Sequence, residues 1–231
     1  MKKMFEKHET LSCILLIVLY VAINSYCKQN FGLTDYRSVV INTIFSIALL
    51  VLIIKLKRVS YYGLTKITNL KEYLYFIPLL FIVSVNLWNG FHINNTFSEI
   101  LCYILTMLNI GFIEEMIFRG FLFKMMEKDS VKSAIVVSSI TFGLGHIVNL
   151  LSGAEFIPTL IQVCYAISIG YLLVIIFYKS KSLVPCIITH AFINCFSIFN
   201  VENKLSIYIA PIFLVVVPIM YVIYINRTIK E

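Results

Sequence analysis

Apolar residues in this chain fall in long continuous runs, not in the one-sided stripes of surface helices or the alternation of half-buried strands. About eight runs approach the ~20 residues that a hydrocarbon core requires of a helix. They lie near Leu11 to Cys27, Ser38 to Leu56, Tyr73 to Trp88, Ser98 to Phe123, Val131 to Leu150, Ile157 to Tyr178, Leu183 to Phe199 and Leu205 to Ile225. The pattern predicts an all-α fold, a polytopic membrane helix bundle of about eight transmembrane helices. No connection is long enough to hold a soluble domain, so residues 1–231 read as a single transmembrane domain. The first run lacks a small-residue cleavage site, Asn24-Ser25-Tyr26 being a poor one, and is read as a retained helix.

Composition supports a bilayer as the solvent, since 60% hydrophobic and 13% charged residues exclude an ordinary soluble domain. The net charge of +7 sorts by connection. Lys2, Lys3 and Lys7, then Lys55, Lys57, Arg58, Lys66 and Lys71, then Lys124, Lys128 and Lys132, then Lys179 and Lys181, and last Arg227 and Lys230 share one set of loops and tails. The alternate loops hold Lys28, Arg37 and Lys204. The positive-inside rule therefore places both termini in the cytoplasm. Retention of basic loops beside anionic lipid accounts for the charge, and no nucleic-acid partner is expected. Tyr61-Tyr62-Gly63-Leu64 is expected at the cytoplasmic headgroup interface, where aromatic rings are favoured. The six cysteines lack CxxC spacing and read as small hydrophobes.

Candidate chemistry begins with Glu114, Glu115 and Arg119, three ionisable residues inside the fourth run. A charge at bilayer depth costs about 2.5 to 3.5 kcal/mol even on lenient insertion scales, so their presence needs a compensating role. Glu115 and Arg119, four apart, share a helix face and can pair. Glu114 is rotated by about 100° from Glu115 and is left to seek partners on other helices. A carboxylate so placed is a candidate general base.

Two other runs carry matching anomalies. The fifth ends Thr141-Phe142-Gly143-Leu144-Gly145-His146, with glycines that permit close approach of a backbone or a substrate. The seventh holds His190 and Asn194 on one face. Counted by rise per residue, Glu114 lies roughly 15 Å and His190 roughly 13 Å from the flanking lysines Lys124 and Lys181, and His146 about 21 Å from Lys132. That offset fits tilt, a helix extending into its loop, or a break at Gly143 or Gly145. His8 and His92 lie in the tail and a loop and receive no role.

Peptide hydrolysis needs a base for water and donors where negative charge develops on the carbonyl oxygen. Glu114 supplies the first, and His190 with Asn194 can supply the second. Two readings from other classes use the same residues. A non-catalytic membrane immunity or interaction protein would keep them as a polar network that fixes packing. A proton-coupled transporter also employs intramembrane carboxylates and histidines, although no matched halves with broken spans are visible.

The EExxxR pattern of Glu114, Glu115 and Arg119, then FxxxH at Phe142 and His146, then HxxxN at His190 and Asn194, resembles the CPBP family. That family comprises the type II CAAX prenyl endopeptidases and bacterial Abi-type intramembrane proteases. The resemblance covers about residues 99–200 as a catalytic core, leaving variable spans in 1–98 and a last span at 205–225. It implies an eight-helix endopeptidase of a bacterial cell membrane, with its site open to the cytoplasmic side. By that resemblance Glu114 activates water with help from His146, His190 and Asn194 stabilise the oxyanion, and Glu115 and Arg119 support the site. The implied partner is a membrane-associated peptide or protein substrate within the lipid bilayer, in CAAX-type processing, peptide maturation or bacteriocin self-immunity. No cofactor is favoured, because the HExxH arrangement is missing. Zinc is the alternative, and its ligands would be Glu114, His146 and His190.

Overall fold

The computed structural model describes residues 7–66, 76–201, 203 and 206–229, and eight helical segments lie among them. These are α1 (Glu9–Asn30), α2 (Tyr36–Leu56), α3 (Ile77–Leu87), α4 (Phe97–Met126), α5 (Val131–Ser152), α6 (Phe156–Ser180), α7 (Val184–Phe199) and α8 (Ser206–Thr228). No strand occurs among the described residues. Six of the helices are long and apolar enough to cross a membrane, whereas α3 and α7 are shorter apolar helices. All eight sit where an apolar run predicts a span, but the start of the third run, before residue 76, lies outside the described residues.

Local sequence explains the helix ends. Asp35 caps α2 by accepting from the Arg37 backbone N–H at 2.8 Å. The Arg37 guanidinium also binds this carboxylate and holds it down to about 2, so the cap stays ionised. Thr96 and Glu99 form a reciprocal capping box at the start of α4. Lys57 and Lys181 end α2 and α6 in the left-handed conformation.

The bundle is built around α4 and α6. Helix α4 packs on α7 and α2, and α6 packs on α5 and α8. Every residue from Met116 to Phe123 is buried, and this stretch of α4 is π-helical. Single π-helical turns inside α-helices are uncommon and frequent at functional sites. On the outer helices large apolar side chains such as Leu15, Ile44, Phe81 and Ile212 are exposed, as a lipid-facing surface requires.

Loops collect at two ends. At one end Arg58 Nη1 lies 3.4 Å from Glu9 Oε1, Lys128 binds the same carboxylate, and Lys179 donates to the Ile229 carbonyl. The same end is closed by Leu183 N–H donating to the Gly63 carbonyl at 2.8 Å and by Tyr62 against Phe121, ring centroids 4.6 Å apart. Tyr62 is 1% exposed, so the expected interfacial site for this aromatic pair is corrected at Tyr62, which belongs to the core. At the other end Gln29 donates to the Leu151 carbonyl and Asn89 to the Val201 carbonyl. The lysine-rich and lysine-poor connections thus alternate between two ends of the bundle, as the charge pattern predicts. Cys13, Cys27, Cys186 and Cys195 are buried, in line with their reading as small hydrophobes, while Cys164 is exposed.

Candidate active site

Helices α4 and α7 meet almost backbone to backbone. A Cβ placed on Gly111 would lie 3.0 Å from the Cα, Cβ and N of Ala191. This close approach brings His190 beside both carboxylates of α4. Its Nδ1 is 2.8 Å from Glu115 Oε1 and its Nε2 is 3.3 Å from Glu114 Oε2.

Glu115 and Arg119 pair as their i, i+4 spacing requires, at 3.0 Å, and both side chains are fully buried. The pair is not isolated, because the oxygen that accepts from Arg119 Nη1 also meets His190. Arg119 Nη2 donates to the Gly170 carbonyl at 3.3 Å, and its guanidinium lies 4.1 Å from the Phe142 ring centroid. The Nδ1–H tautomer of His190 donates to Glu115 Oε1, and Nε2 is the ring atom that faces Glu114.

Glu114 finds its partners on other helices, as its rotation away from Glu115 predicts. Besides His190 it meets Tyr20 of α1, whose hydroxyl donates to Oε1. Tyr20 in turn accepts from Asn24 Nδ2 at 3.3 Å. Oε2 accepts no hydrogen bond among the described residues. Tyr20 is the residue that motif spacing misses: a tyrosine in an apolar run looks like any of the 14 tyrosines of this chain. The nearby amide one helical turn later, at Asn24, is the one signal that could have drawn attention to that face.

A cavity of about 340 Å³ lies against Glu114, and His146, His190 and Asn194 also line it. The four expected site residues are therefore brought to one space. They do not form one hydrogen-bonded chain. The His146 side chain makes no hydrogen bond among the described residues and stands edge-on to Phe142, whose ring also meets His190, at centroid distances of 5.7 and 5.4 Å. Asn194 reaches the cavity without a side-chain hydrogen bond there.

The offset of His146 along α5 has a local cause. The α-helix ends at Leu144 and continues as 3₁₀ turns over Gly145–Ser152. A Cβ on Gly143 would meet Ile167 Cγ1 at 2.3 Å, so this glycine seats α5 on α6. Gly145 has open space beside it and lines the cavity. Of the two expected close approaches, Gly143 serves packing and Gly145 leaves room.

The cavity lies in the half of the bundle nearer the lysine-poor loops. Helices α1 and α7 line the cavity from their C-terminal halves and α6 from its N-terminal half, all toward the lysine-poor loops. On the other side of Glu114 every residue from Met116 to Phe123 is buried. No group of three His, Cys, Asp or Glu side chains placed to hold a metal ion occurs among the described residues.

Residues 61–196 match the family model of the Rce1-like type II CAAX prenyl endopeptidases. No curated protein and no solved structure matches the chain.

Proposed function

The chain belongs to the Rce1-like family of type II CAAX prenyl endopeptidases, and on that premise we propose that it hydrolyses a peptide bond of a membrane-associated peptide or protein with Glu114 as the general base. The observation that carries this reading is Glu114 itself: one oxygen is held by Tyr20, the other is buried without a hydrogen bond among the described residues, and the side chain lines a cavity that His146, His190 and Asn194 share. Oε2 takes a proton from water as the water oxygen attacks the carbonyl carbon. The Asn194 amide and, in the imidazolium form that donates from both nitrogens, His190 Nε2 offer donors to the oxygen that becomes negative. Glu114 then returns its proton to the leaving amine as the C–N bond breaks, and the free carboxylate is restored. His146 faces the same space and helps hold the water. Glu115 positions His190 through Nδ1, and Arg119 in turn holds Glu115 in a dry setting.

In this reading all eight helices cross the bilayer with both termini in the cytoplasm, and the two short helices complete the bundle. The membrane is that of a bacterial cell, and the product is a processed peptide, a matured signal or a degraded bacteriocin. The test is cleavage of a peptide library by purified, detergent-solubilised protein, with new termini read by mass spectrometry. Absence of any cleavage under conditions that preserve the fold overturns the proposal.

Two further outcomes follow from the geometry. Tyr20→Phe removes the hydroxyl that holds Glu114 and keeps the ring. A hydrogen bond to a charged group is worth about 1.5 to 3 kcal/mol, so turnover should fall by about ten- to a hundredfold with little change in expression. Unchanged kinetics would make Tyr20 a packing residue. The steps proposed above draw on no metal, so cleavage should survive chelation. Loss of activity with chelator, restored by added zinc, would replace this mechanism with a metal-dependent one.

A further inference from the structure

A second cavity, of about 210 Å³, lies at the lysine-rich end, and among the described residues it shares no lining side chain with the one at Glu114. Its floor is apolar. Phe123 and Phe177 are buried there, ring centroids 5.9 Å apart, where the end of α4 meets the end of α6. Its rim is polar, with Ser60 and Lys181 exposed and Lys124 half-buried. The space is several times the ~30 Å³ that one water takes up in the liquid, so it has room for a polyatomic group.

The charges on this wall do not cancel. Lys124 and Lys181 bring two ammonium groups and Glu127 one carboxylate, so among the described lining residues one positive charge is in excess. Glu127 accepts from Lys124, which uses one of the three donors of that ammonium. A ring holds each ammonium at the rim: Lys124 Nζ is 4.6 Å from the Tyr61 ring centroid and Lys181 Nζ is 4.2 Å from that of Tyr178. A ring face fixes a cation in place without neutralising it. The Tyr61 ring is itself anchored, because its hydroxyl donates to the Lys124 carbonyl at 3.1 Å.

From two ammonium groups set over an apolar floor, we propose that this cavity binds a phosphate group carrying one negative charge, the phosphodiester of an anionic lipid headgroup. Lysine binds phosphate as a point charge, and a single excess positive charge is balanced by a phosphodiester, whereas a doubly charged phosphate monoester would overshoot it. Phe123 and Phe177 offer the adjoining glycerol carbons an apolar wall. The place suits the ligand, since basic loops lie beside anionic headgroups. A lipid seated here bridges the turn after α2, the end of α4 and the end of α6, and so adds to the stability of the bundle. The site is independent of the endopeptidase reading.

The test is native mass spectrometry of the full chain in detergent, titrated with phosphatidylglycerol and, separately, with phosphatidylcholine of the same acyl chains, which has the phosphodiester but no net charge. Phosphatidylglycerol should bind more tightly. Lys181→Gln should weaken it about fivefold, the worth of one lysine beside an anionic lipid, and Glu127→Gln, which removes a like charge, should strengthen it. Ser60→Glu puts a carboxylate on the exposed rim and should abolish the preference, which keeps the result readable if Lys181→Gln fails to fold. Exposed Lys132 lies outside the cavity, so Lys132→Gln should leave the affinity unchanged. Equal binding of the two lipids, or equal loss in Lys132→Gln and Lys181→Gln, overturns the site. Phosphatidylglycerol should also raise the melting temperature, and inorganic phosphate, compared with chloride at equal ionic strength, should not. A rise with inorganic phosphate that is lost in Lys181→Gln overturns the lipid and assigns the cavity to a soluble phosphate.

Discussion

Glu114→Gln should reduce peptide cleavage about a thousandfold or more while leaving expression and thermal stability close to wild type. General-base catalysis contributes typically about 10²- to 10⁴-fold, and the glutamine amide cannot accept a proton from water at neutral pH. Its carbonyl oxygen can still accept from the Tyr20 hydroxyl, which occupies Oε1 in the wild-type chain, so packing at the α1–α4 contact is kept. The comparison also separates the classes of function. A protein that acts by binding a toxin or a receptor would retain its effect, since the polar network survives. A proton-coupled transporter would lose flux in liposomes but would never have cut a peptide. Cleavage by Glu114→Gln at the wild-type rate would remove Glu114 from the chemistry.

The second large effect is on stability. Arg119→Met leaves Glu115 fully buried with His190 as its remaining partner. Breaking a buried pair by removing one member costs about 3 to 5 kcal/mol, a large part of the roughly 5 to 15 kcal/mol that holds a typical fold. The single variant should therefore show a marked drop in melting temperature in detergent and poor yield. Adding Glu115→Gln removes the stranded charge, and the double variant should recover most of the loss. Its amide oxygen still accepts from His190 Nδ1, although as a neutral partner it holds the ring less firmly. Recovered stability with reduced turnover would assign Glu115 to positioning His190 as well as to folding. An Arg119→Met protein as stable as wild type would show that the pair carries no such burden.

The candidate site was legible where its residues are costly in lipid. Glu114, Glu115, Arg119, His146, His190 and Asn194 interrupt apolar runs, and helical spacing correctly paired Glu115 with Arg119 and turned Glu114 away. Other features leave no trace of that kind. Tyr20 is compatible with an apolar run whether or not its hydroxyl is used. The π-helical turns at Met116 to Phe123 arise from how a fully buried segment packs, and a stretch apolar on all sides has no face whose period could reveal them. The change to 3₁₀ geometry at Gly145 was one of three explanations for the depth of His146, and the sequence offered no reason to choose it. The position of the cavity was hidden for a different cause: it depends on which halves of the helices separate, a property of the packed bundle and not of any one run.

The contact between Gly111 and Ala191 sets a limit on how this site can vary. With almost no side chain between the two backbones, no rotamer change can widen or narrow the gap that carries Glu114, Glu115 and His190. The candidate groups inherit the stiffness of two helices, and under the proposed function adaptation to differently sized substrates falls to other parts of the cavity wall, such as the hydrogen-bonded pair Asn149 and Gln162.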